Sequence, residues 1–338
     1  MHYDVFNGDA DGICALQQLR LAAPRPAAKL ITGVKRDIRL LSQITTARNA
    51  EIAVLDISLD SNRPELVTLL SRHCQVTYID HHFAGEIPAS PFLNAHIDPT
   101  PDICTGLIVN RMLAGRFRAW AVVAAFGDNL HEAARQTAAE LNLNSSQLET
   151  LQELGELFNY NGYGTDITDL HFPPAALFKA VQPFRDPLDF CRKSEVLAAL
   201  RQGFADDMAA ASACRPLQED RHGRVYQLPA TAWARRVSGV FSNEKARERP
   251  DLAHALIVAN EDETLRISVR APLAGKTGAD TLCRAFPTGG GRAAAAGINF
   301  LPAEQLPLFL RTFAETFTGK RSQGTASPLS SACPHTDV

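Results

Sequence analysis

Short apolar, β-branched runs alternate with helical patterns in the first third of the chain. Four of these runs predict strands at Tyr3–Phe6, Leu30–Val34, Ile52–Leu55 and Val76–Asp80. The segments between them carry apolar residues at helical spacing, as in Ile13–Leu21. Strands and helices that alternate at this interval favour right-handed crossovers and a mainly parallel sheet with flanking helices.

The following segments have mostly helical patterns. Thr105–Leu113 and Arg118–Ala134 predict helices, and residues 136–210 predict an amphipathic helical region with a loop at Asn159–Gly164. A further helix is predicted to begin at Asn62, because a proline at position 64 suits the first turn of a helix.

From about residue 221 the pattern returns to strands, at Val225–Leu228, Ala255–Val258 and Thr264–Val269, with a last helix over Ala303–Phe317. We therefore predict an α/β protein. It would comprise an α/β domain over residues 1–150, a helical connector over 151–215, a smaller α/β domain over 216–318 and a disordered tail over 319–338.

Composition narrows the class of protein. The chain has 338 residues, 45% of them hydrophobic, and a formal net charge of −3, which suits two domains and argues against a binder of long duplex DNA. No apolar run approaches the roughly 18–20 residues of a membrane span, and the N-terminus does not resemble a signal peptide. The 7 scattered cysteines include no CxxC pair, so we expect a reduced, cytoplasmic protein without membrane partners.

Acidic and imidazole side chains follow three of the four predicted strands. They are Asp9 and Asp11 after the first, Asp56 after the third, and Asp80, His81 and His82 after the fourth. The carboxyl ends of parallel strands meet at one sheet edge, so these groups should lie together. Crowded carboxylates require cations, and mixed carboxylate and imidazole ligands favour Mn²⁺ or Mg²⁺. Two such ions a few ångströms apart suit phosphoester hydrolysis.

Two later segments add candidate chemistry. Asp128 directly follows an apolar helical run and is a candidate fifth carboxylate, with an interhelical salt bridge as the alternative. The glycines of Gly289–Gly291 would let backbone N–H groups approach a ligand, although such a run also suits a tight turn. Arg292 could bind phosphate through two parallel hydrogen bonds.

Each candidate also has a purely structural interpretation. Asp9, Asp11 and Asp56 could be turn residues or helix caps. We expect a solvated face for Lys35, Arg36 and Arg39, with a nucleic-acid backbone contact left open, and loop or surface roles for His96, Asp98, Asp102 and His131. Asp166, Asp169 and His171 have the composition of a metal cluster, but their spacing suits a turn.

The ordered segments resemble the motifs of the DHH phosphoesterase superfamily. The matching segments are Asn7–Gly12, Asp56, Asp80–His82 and Gly127–Asp128, together with Gly289–Gly297 for the family's associated C-terminal domain. The resemblance covers nearly the whole chain except its helical middle and tail.

This resemblance implies a role for each matching residue. Asp9 would bind a first metal ion, Asp11 a second, and Asp56 would bridge both. His81 and Asp128 would complete the second site, Asp80 would support the cluster, and His82 would contact the scissile phosphate or leaving group. A terminal phosphate or nucleotide would be held by Arg270, Gly289, Gly290, Gly291 and Arg292.

Three positions depart from the family pattern. Val5 stands where many members have a histidine, and Asn7 where one branch has an aspartate. Asparagine is a neutral, weaker ligand, so the sequence leaves open whether Asn7 binds metal. Arg292 replaces the usual histidine of the glycine motif, which keeps phosphate affinity but removes a titrating group.

The resemblance and the compact length predict a phosphodiesterase, dependent on two Mn²⁺ or Mg²⁺ ions, that hydrolyses short linear oligonucleotides such as dinucleotides to mononucleotides. The alternatives are an exopolyphosphatase, a phosphatase of 3′,5′-bisphosphate nucleotides, a cyclic-dinucleotide phosphodiesterase and a non-catalytic nucleotide sensor. The sequence leaves open whether the chain forms a homodimer.

Overall fold

The computed structural model describes residues 1–221, 223–260 and 262–317. The tail predicted at 319–338 lies outside the described residues. The described part contains a parallel five-stranded sheet, a helical middle and a mixed six-stranded sheet, in agreement with the predicted α/β class.

The first sheet contains the four predicted strands and one more. Its strands are β1 (His2–Phe6), β2 (Lys29–Ile31), β3 (Glu51–Leu55), β4 (Gln75–Asp80) and β5 (Leu93–Ile97). They are parallel, in the order β2-β1-β3-β4-β5. The sequence analysis missed β5, an edge strand whose residues are exposed or only partly buried and so lack a clear apolar run.

The strand register aligns the carboxyl ends of β1, β3 and β4. Phe6 pairs with Leu55, which in turn pairs with Ile79. Beyond these pairs, the amide of Asn7 donates to the Leu55 carbonyl at 3.2 Å, and the amide of Asp56 donates to the Ile79 carbonyl at 3.1 Å. The residues that follow the last apolar position of each strand are therefore neighbours at one sheet edge.

Helices α1 (Ala10–Ala22) and α2 (Leu59–Ser71) connect strands of this sheet. The predicted start of α2 at Asn62 is wrong. The hydroxyl oxygen of Ser58 accepts the amide of Ser61 at 3.3 Å and caps the helix, while Pro64 lies inside it. An N-cap interaction thus fixes the beginning of α2.

In the described residues, seven α-helices lie between the first sheet and the C-terminal sheet. They are α3 (Thr105–Met112), α4 (Arg118–Gly127), α5 (His131–Ala138), α6 (Ser145–Gly162), α7 (Pro174–Val181), α8 (Pro187–Lys193) and α9 (Glu195–Ser212). The loop predicted at Asn159–Gly164 is wrong, because residues 159–162 form the last turn of α6. The predicted helix over Arg118–Ala134 is interrupted at Asn129, whose φ of 60° is left-handed.

The C-terminal part forms a mixed sheet with three helices. The elements are β6 (Gln218–Glu219), β7 (Gly223–Leu228), α10 (Ala232–Glu248), β8 (Ala253–Ala259), β9 (Leu265–Arg270), α11 (Ala279–Arg284), β10 (Gly289–Arg292), β11 (Ala295–Leu301) and α12 (Leu306–Phe317). The strand order is β10-β11-β9-β8-β7-β6. Only β7 and β8, which α10 connects, pair in parallel.

One hydrophobic core extends through both sheet regions. Phe6 and Phe126 belong to the same buried cluster as Tyr226 and Phe241 of the C-terminal part. The C-terminal sheet also has a core of its own on its other face, which includes Phe309. The shared core therefore fixes α10 against the helical middle. Among the described helices, none combines the length and the apolar character needed to cross a membrane.

Candidate metal and phosphate site

Two glycines, Gly8 in the loop after β1 and Gly12 in the first turn of α1, allow the close packing around Asp9. A Cβ atom on Gly8 would lie 1.9 Å from the carbonyl oxygen of Gly33, and one on Gly12 would lie 2.2 Å from that of Asn7. Only glycine fits these positions. The Asp9 Oδ1 atom then accepts the amides of Asp11 and Gly12, each at 3.1 Å, and caps α1.

Asp11 is fixed by the N-terminus of α3. Its Oδ2 atom accepts the Thr105 amide at 2.8 Å and its Oδ1 atom accepts the Gly106 amide at 2.7 Å. A carboxylate at this end of a helix is favoured by the exposed N–H groups and the helix dipole. Asp9 thus caps α1, as its structural interpretation allowed, whereas Asp11 lies within α1 and binds the first amides of α3; both carboxylates remain beside Asp56.

Asp56, His81 and Asp128 face one another. The His81 Nε2 atom lies 3.4 Å from Oδ1 of Asp56 and 3.8 Å from Oδ2 of Asp128. On its other side, the His81 Nδ1 atom lies 2.9 Å from the carbonyl oxygen of Ile103. Because a carbonyl can only accept, Nδ1 carries a proton, and Nε2 is the ring nitrogen directed at the acids.

The electrostatics of these acids fit a divalent cation. Burial raises the pKa of Asp56 well above its usual range, and the neighbouring carboxylates of Asp11 and Asp9 raise it further. Burial, followed by the charge of Asp11, raises the pKa of Asp128 to about 6. Oxygen donors with an imidazole nitrogen among them suit Mn²⁺ or Mg²⁺, and such an ion would relieve this repulsion.

Asp80 and His82 form a separate pair beside this group. The Oδ1 atom of Asp80 accepts the Nδ1–H of His82 at 2.7 Å, and this hydrogen bond raises the pKa of His82. Asp80 is fully buried, whereas 44% of the His82 side chain is exposed. One ligand atom each from Asp56, His81 and His82 lie within 4.8 Å of one another. His82 is therefore oriented at the border of the site.

Lys35 belongs to the site, so its predicted solvated role is wrong. Its Nζ atom donates to Oδ2 of Asp9 at 2.6 Å and to Oδ1 of Asn159 at 2.7 Å, and lies 3.9 Å from Oδ1 of Asp128. Burial alone would raise the pKa of Asp9, but the charge of Lys35 and its hydrogen bond hold that pKa below the ordinary value. The only sequence signal was the position of Lys35 beyond a strand end. Asn159 gave no such signal, because it fell within the wrongly predicted loop.

Both polar atoms of the Asn7 side chain form hydrogen bonds with the backbone. Its Oδ1 atom accepts the Asp9 amide at 3.2 Å, and its Nδ2 group donates to the Lys35 carbonyl at 3.1 Å. In this arrangement Asn7 positions the two segments that carry Asp9 and Lys35.

A cationic pocket of about 150 Å³ adjoins Lys35. It is lined by Lys35, Arg36, Gly162, Tyr163, Gly164, Arg235 and Arg266. Burial, together with the charges of Arg36 and Arg235, lowers the pKa of Arg266 to about 10. The Nε atom of Arg266 is buried without a hydrogen-bond partner among the described residues. Crowded cations with an unused donor favour an anionic ligand.

The residues expected to bind substrate fall into two groups. Arg270 donates from Nε to Oδ1 of Asn243 at 2.8 Å, and Asn243 lines a cavity of about 600 Å³ that reaches Asn159. By contrast, Gly289, Gly290 and Gly291 form the edge strand β10, paired with β11, instead of the expected loop. A Cβ atom on Gly289 would lie 1.8 Å from the Cys283 carbonyl oxygen, so packing requires this glycine. Arg292 ends β10 and is exposed.

The turn role expected for Asp166, Asp169 and His171 is confirmed for the two acids. Asp166 caps a short 3₁₀ helix through the Thr168 amide at 2.9 Å, and Asp169 pairs with Arg235 at 2.5 Å. Within the described part of the chain, these three side chains form no metal cluster.

Comparison with known proteins identifies the fold. No protein-family model and no curated protein matches the sequence. A DHH-domain protein described as a member of a family of ribosomal proteins is similar in structure, with a TM-score of 0.64 and 14% identity over 93% of this chain and 85% of that chain. Exonuclease RecJ bound to manganese has a TM-score of 0.59 and 16% identity over 93% of this chain and 89% of that chain.

A third similar structure is PggH of Vibrio cholerae, described as a pGpG-specific phosphodiesterase. It has a TM-score of 0.53 and 13% identity over 93% of this chain and 98% of that chain. At these identities the shared feature is the fold. The α/β architecture implied by the sequence resemblance is therefore confirmed.

Proposed function

We propose that this chain, which has the fold of the DHH-domain proteins, is a metal-dependent phosphoesterase. One observation carries the proposal: a set of metal-ligand type, with Asp56 and His81 at its centre, lies beside a cationic pocket, and Lys35 borders both. A phosphoester can be bound at its reacting group by a cation that acidic side chains hold and by arginines that bind its negative charge.

Asp56, His81 and Asp128 would hold a divalent ion, Mn²⁺ or Mg²⁺. When bound, such an ion polarises a phosphoryl oxygen and lowers the pKa of water. The hydrogen bond from His81 to the Ile103 carbonyl keeps Nε2 available as the ligand atom. His82 holds a proton on Nδ1 through Asp80, so its Nε2 can donate a hydrogen bond or a proton to the leaving oxygen.

The two adjacent subsites favour a substrate with two phosphates. The metal-ligand set would bind the scissile phosphate, and the pocket next to Arg266 has the charge and size for a terminal phosphate. The larger cavity near Arg270 could receive a nucleoside. We therefore propose short linear dinucleotides with a 5′-phosphate as substrates and mononucleotides as products. PggH, which shares the fold, is described as acting on pGpG, a molecule of this class.

The proposal is tested by turnover of a substrate panel with Mn²⁺ and with Mg²⁺. The panel contains linear dinucleotides with and without a 5′-phosphate, a cyclic dinucleotide, a ten-mer, a 3′,5′-bisphosphate nucleotide and polyphosphate. We expect mononucleotides to appear fastest from the 5′-phosphorylated dinucleotide. Faster hydrolysis of polyphosphate, of the bisphosphate or of the cyclic compound would replace the proposed substrate by that alternative. Tight nucleotide binding without turnover of any compound would identify a sensor.

A matched pair of variants tests the terminal-phosphate pocket. Arg266→Ala should raise KM for the 5′-phosphorylated dinucleotide by roughly 10–100-fold, the value of about 1.5–3 kcal/mol for a hydrogen bond to a charged group. The same variant should leave KM for the unphosphorylated dinucleotide almost unchanged. Arg39→Ala removes an exposed arginine outside the pocket and serves as the control. Equal effects on both dinucleotides would exclude Arg266 as the phosphate-binding group.

A further inference from the structure

The Asp9 side of the site is already neutralised by a side chain of this protein. Nζ of Lys35 donates to Oδ2 of Asp9 at 2.6 Å, and Oδ1 of Asp9 accepts two backbone amides. Both oxygens of the carboxylate therefore have partners. A metal ion bound to Asp9 would lie about 2.0–2.1 Å from one of these oxygens, if it were Mg²⁺, and would compete directly with the ammonium.

Lys35 is held in this position by contacts that do not involve Asp9. Its backbone amide donates to the Gly162 carbonyl at 2.8 Å, and its own carbonyl accepts from Nδ2 of Asn7 at 3.1 Å. At the other end of the side chain, Nζ donates to Oδ1 of Asn159 at 2.7 Å. The backbone of Lys35 is thus held by α6 and by Asn7, and its ammonium is held by Asn159 of α6. This arrangement directs the ammonium at Asp9.

The positions shortly before Asp9, Val5 in β1 and Asn7 after it, do not supply a further metal ligand on this side. Val5 is a fully buried aliphatic residue packed in a hydrophobic cluster with Leu66 and Tyr78. Asn7 uses its oxygen and its amide nitrogen for backbone hydrogen bonds. The opposite side differs, because Asp56, Asp128 and the Nε2 atom of His81 face one another there. Neither Val5 nor Asn7 therefore adds a ligand beside Asp9, whose own carboxylate is already paired with Lys35.

We propose that the Lys35 ammonium takes the place of the metal ion expected at Asp9, so that the site binds one divalent ion per chain. This inference rests on the proposed function for the presence of that one ion. Lys35 then has two roles: it neutralises Asp9, and it presents a fixed positive charge between the ion and the cationic pocket. The fixed charge is suited to a phosphate that reaches from one subsite to the other.

The test is the number of Mn²⁺ ions bound by the full chain without substrate. We would measure it by equilibrium dialysis at saturating Mn²⁺, and follow the electron paramagnetic resonance spectrum of the bound ion. The wild-type chain should bind one ion and show the spectrum of an isolated Mn²⁺. Lys35→Ala, which frees the Asp9 carboxylate, should bind two ions and show the broadened spectrum of a coupled pair. Lys29→Ala removes an exposed lysine on β2 and should behave like the wild type.

The outcomes separate the two proposals. Two ions bound by the wild type would overturn the replacement by Lys35 and leave the proposed phosphoesterase intact. No ion bound by the wild type would overturn both. One ion in the wild type and one in a folded Lys35→Ala variant would show that the ammonium does not exclude the second ion. If Lys35→Ala does not fold, Lys35→Met gives the same comparison with a longer neutral side chain. The number of Mn²⁺ ions bound by the wild type tests the proposal in either case.

Discussion

Arg236 on α10 and Asp207 on α9 form a buried ion pair with two hydrogen bonds. Nε of Arg236 lies 2.7 Å from Oδ2 of Asp207, and Nη2 lies 2.9 Å from Oδ1. The hydroxyl of Tyr160 on α6 donates to the same carboxylate. Burial alone would raise the pKa of Asp207, but His171, whose Nε2 lies 3.8 Å from Oδ2, and the hydrogen bonds from Arg236 and Tyr160 lower it to about 2. Three helices from different parts of the chain are thus joined at one carboxylate.

The first prediction concerns the contribution of this pair to stability. Arg236→Met keeps much of the side-chain volume but leaves Asp207 buried without its charge partner. We expect the free energy of unfolding to fall by about 3–5 kcal/mol, as for other buried pairs that lose one member. Urea denaturation followed by circular dichroism measures the change.

A double-mutant cycle provides the control for that prediction. Asp207→Asn combined with Arg236→Met removes both charges, so the double variant should lose less stability than the sum of the two single variants. Strictly additive losses would show that the two side chains do not interact in solution.

The second prediction concerns Asp56, where stability and metal binding conflict. Asp56 adopts a left-handed φ of 58°, which asparagine also tolerates. Burial and the neighbouring acids raise the pKa of Asp56, which disfavours its charged form in the folded state, so we expect the metal-free Asp56→Asn variant to be more stable than the wild type at neutral pH. Thermal unfolding with and without Mn²⁺ measures both properties. The variant should lose the Mn²⁺-dependent stabilisation of the wild type.

Asp60→Asn is the matched control, because Asp60 lies four residues later and more than half of its side chain is exposed. It should keep the Mn²⁺-dependent rise in the unfolding temperature. A normal response to Mn²⁺ in Asp56→Asn would exclude Asp56 as a metal ligand.

The third prediction is a pH dependence that originates from Asp128. Its pKa is raised from 3.8 to about 6 in the folded state, so the folded protein binds more protons than the unfolded chain between these values. The contribution of Asp128 to the free energy of unfolding is therefore greatest below pH 3.8 and is lost as the pH rises through about 6. The loss amounts to at most about 3 kcal/mol at 1.36 kcal/mol per pKa unit.

The measurement compares wild type with Asp128→Asn, since other groups titrate in the same range. The wild-type free energy of unfolding, relative to that of the variant, should decrease from pH 4 to pH 7 in metal-free buffer. Mn²⁺ affinity of the wild type should increase over the same range, because the ligand carboxylate must lose its proton. A stability difference that is independent of pH would contradict the raised pKa.

The fourth prediction separates His82 from the metal ligands. His82→Ala should reduce kcat by roughly 10²–10⁴-fold, the usual contribution of a proton donor or acceptor, while Mn²⁺ affinity stays close to that of the wild type. Isothermal titration with Mn²⁺ and initial rates on the 5′-phosphorylated dinucleotide provide the two readouts. Asp80→Asn should also reduce kcat, because it disturbs the hydrogen bond that orients His82. Loss of Mn²⁺ binding in His82→Ala would instead identify His82 as a ligand.

The sequence by itself determined the sheet edge at which the candidate chemistry lies. Asp56 directly follows an apolar run and Asp80 ends one, and such runs fix strand ends through a local pattern that can be read without the fold. In a parallel sheet these ends must meet at one edge. The family resemblance followed from the same short segments, and the comparison with solved structures confirmed the fold that it implied.

Only the tertiary structure decided which partners these acids have. The Lys35 side chain reaches Asn159, which is 124 positions later in the chain, and Arg266 reaches Thr165, 101 positions earlier. Local periodicity carries no information about contacts between such distant segments, because they depend on how whole elements pack. The glycines at 289–291 are a second example. Their local pattern suggests a ligand loop, but they form an edge strand because their backbone pairs with that of β11.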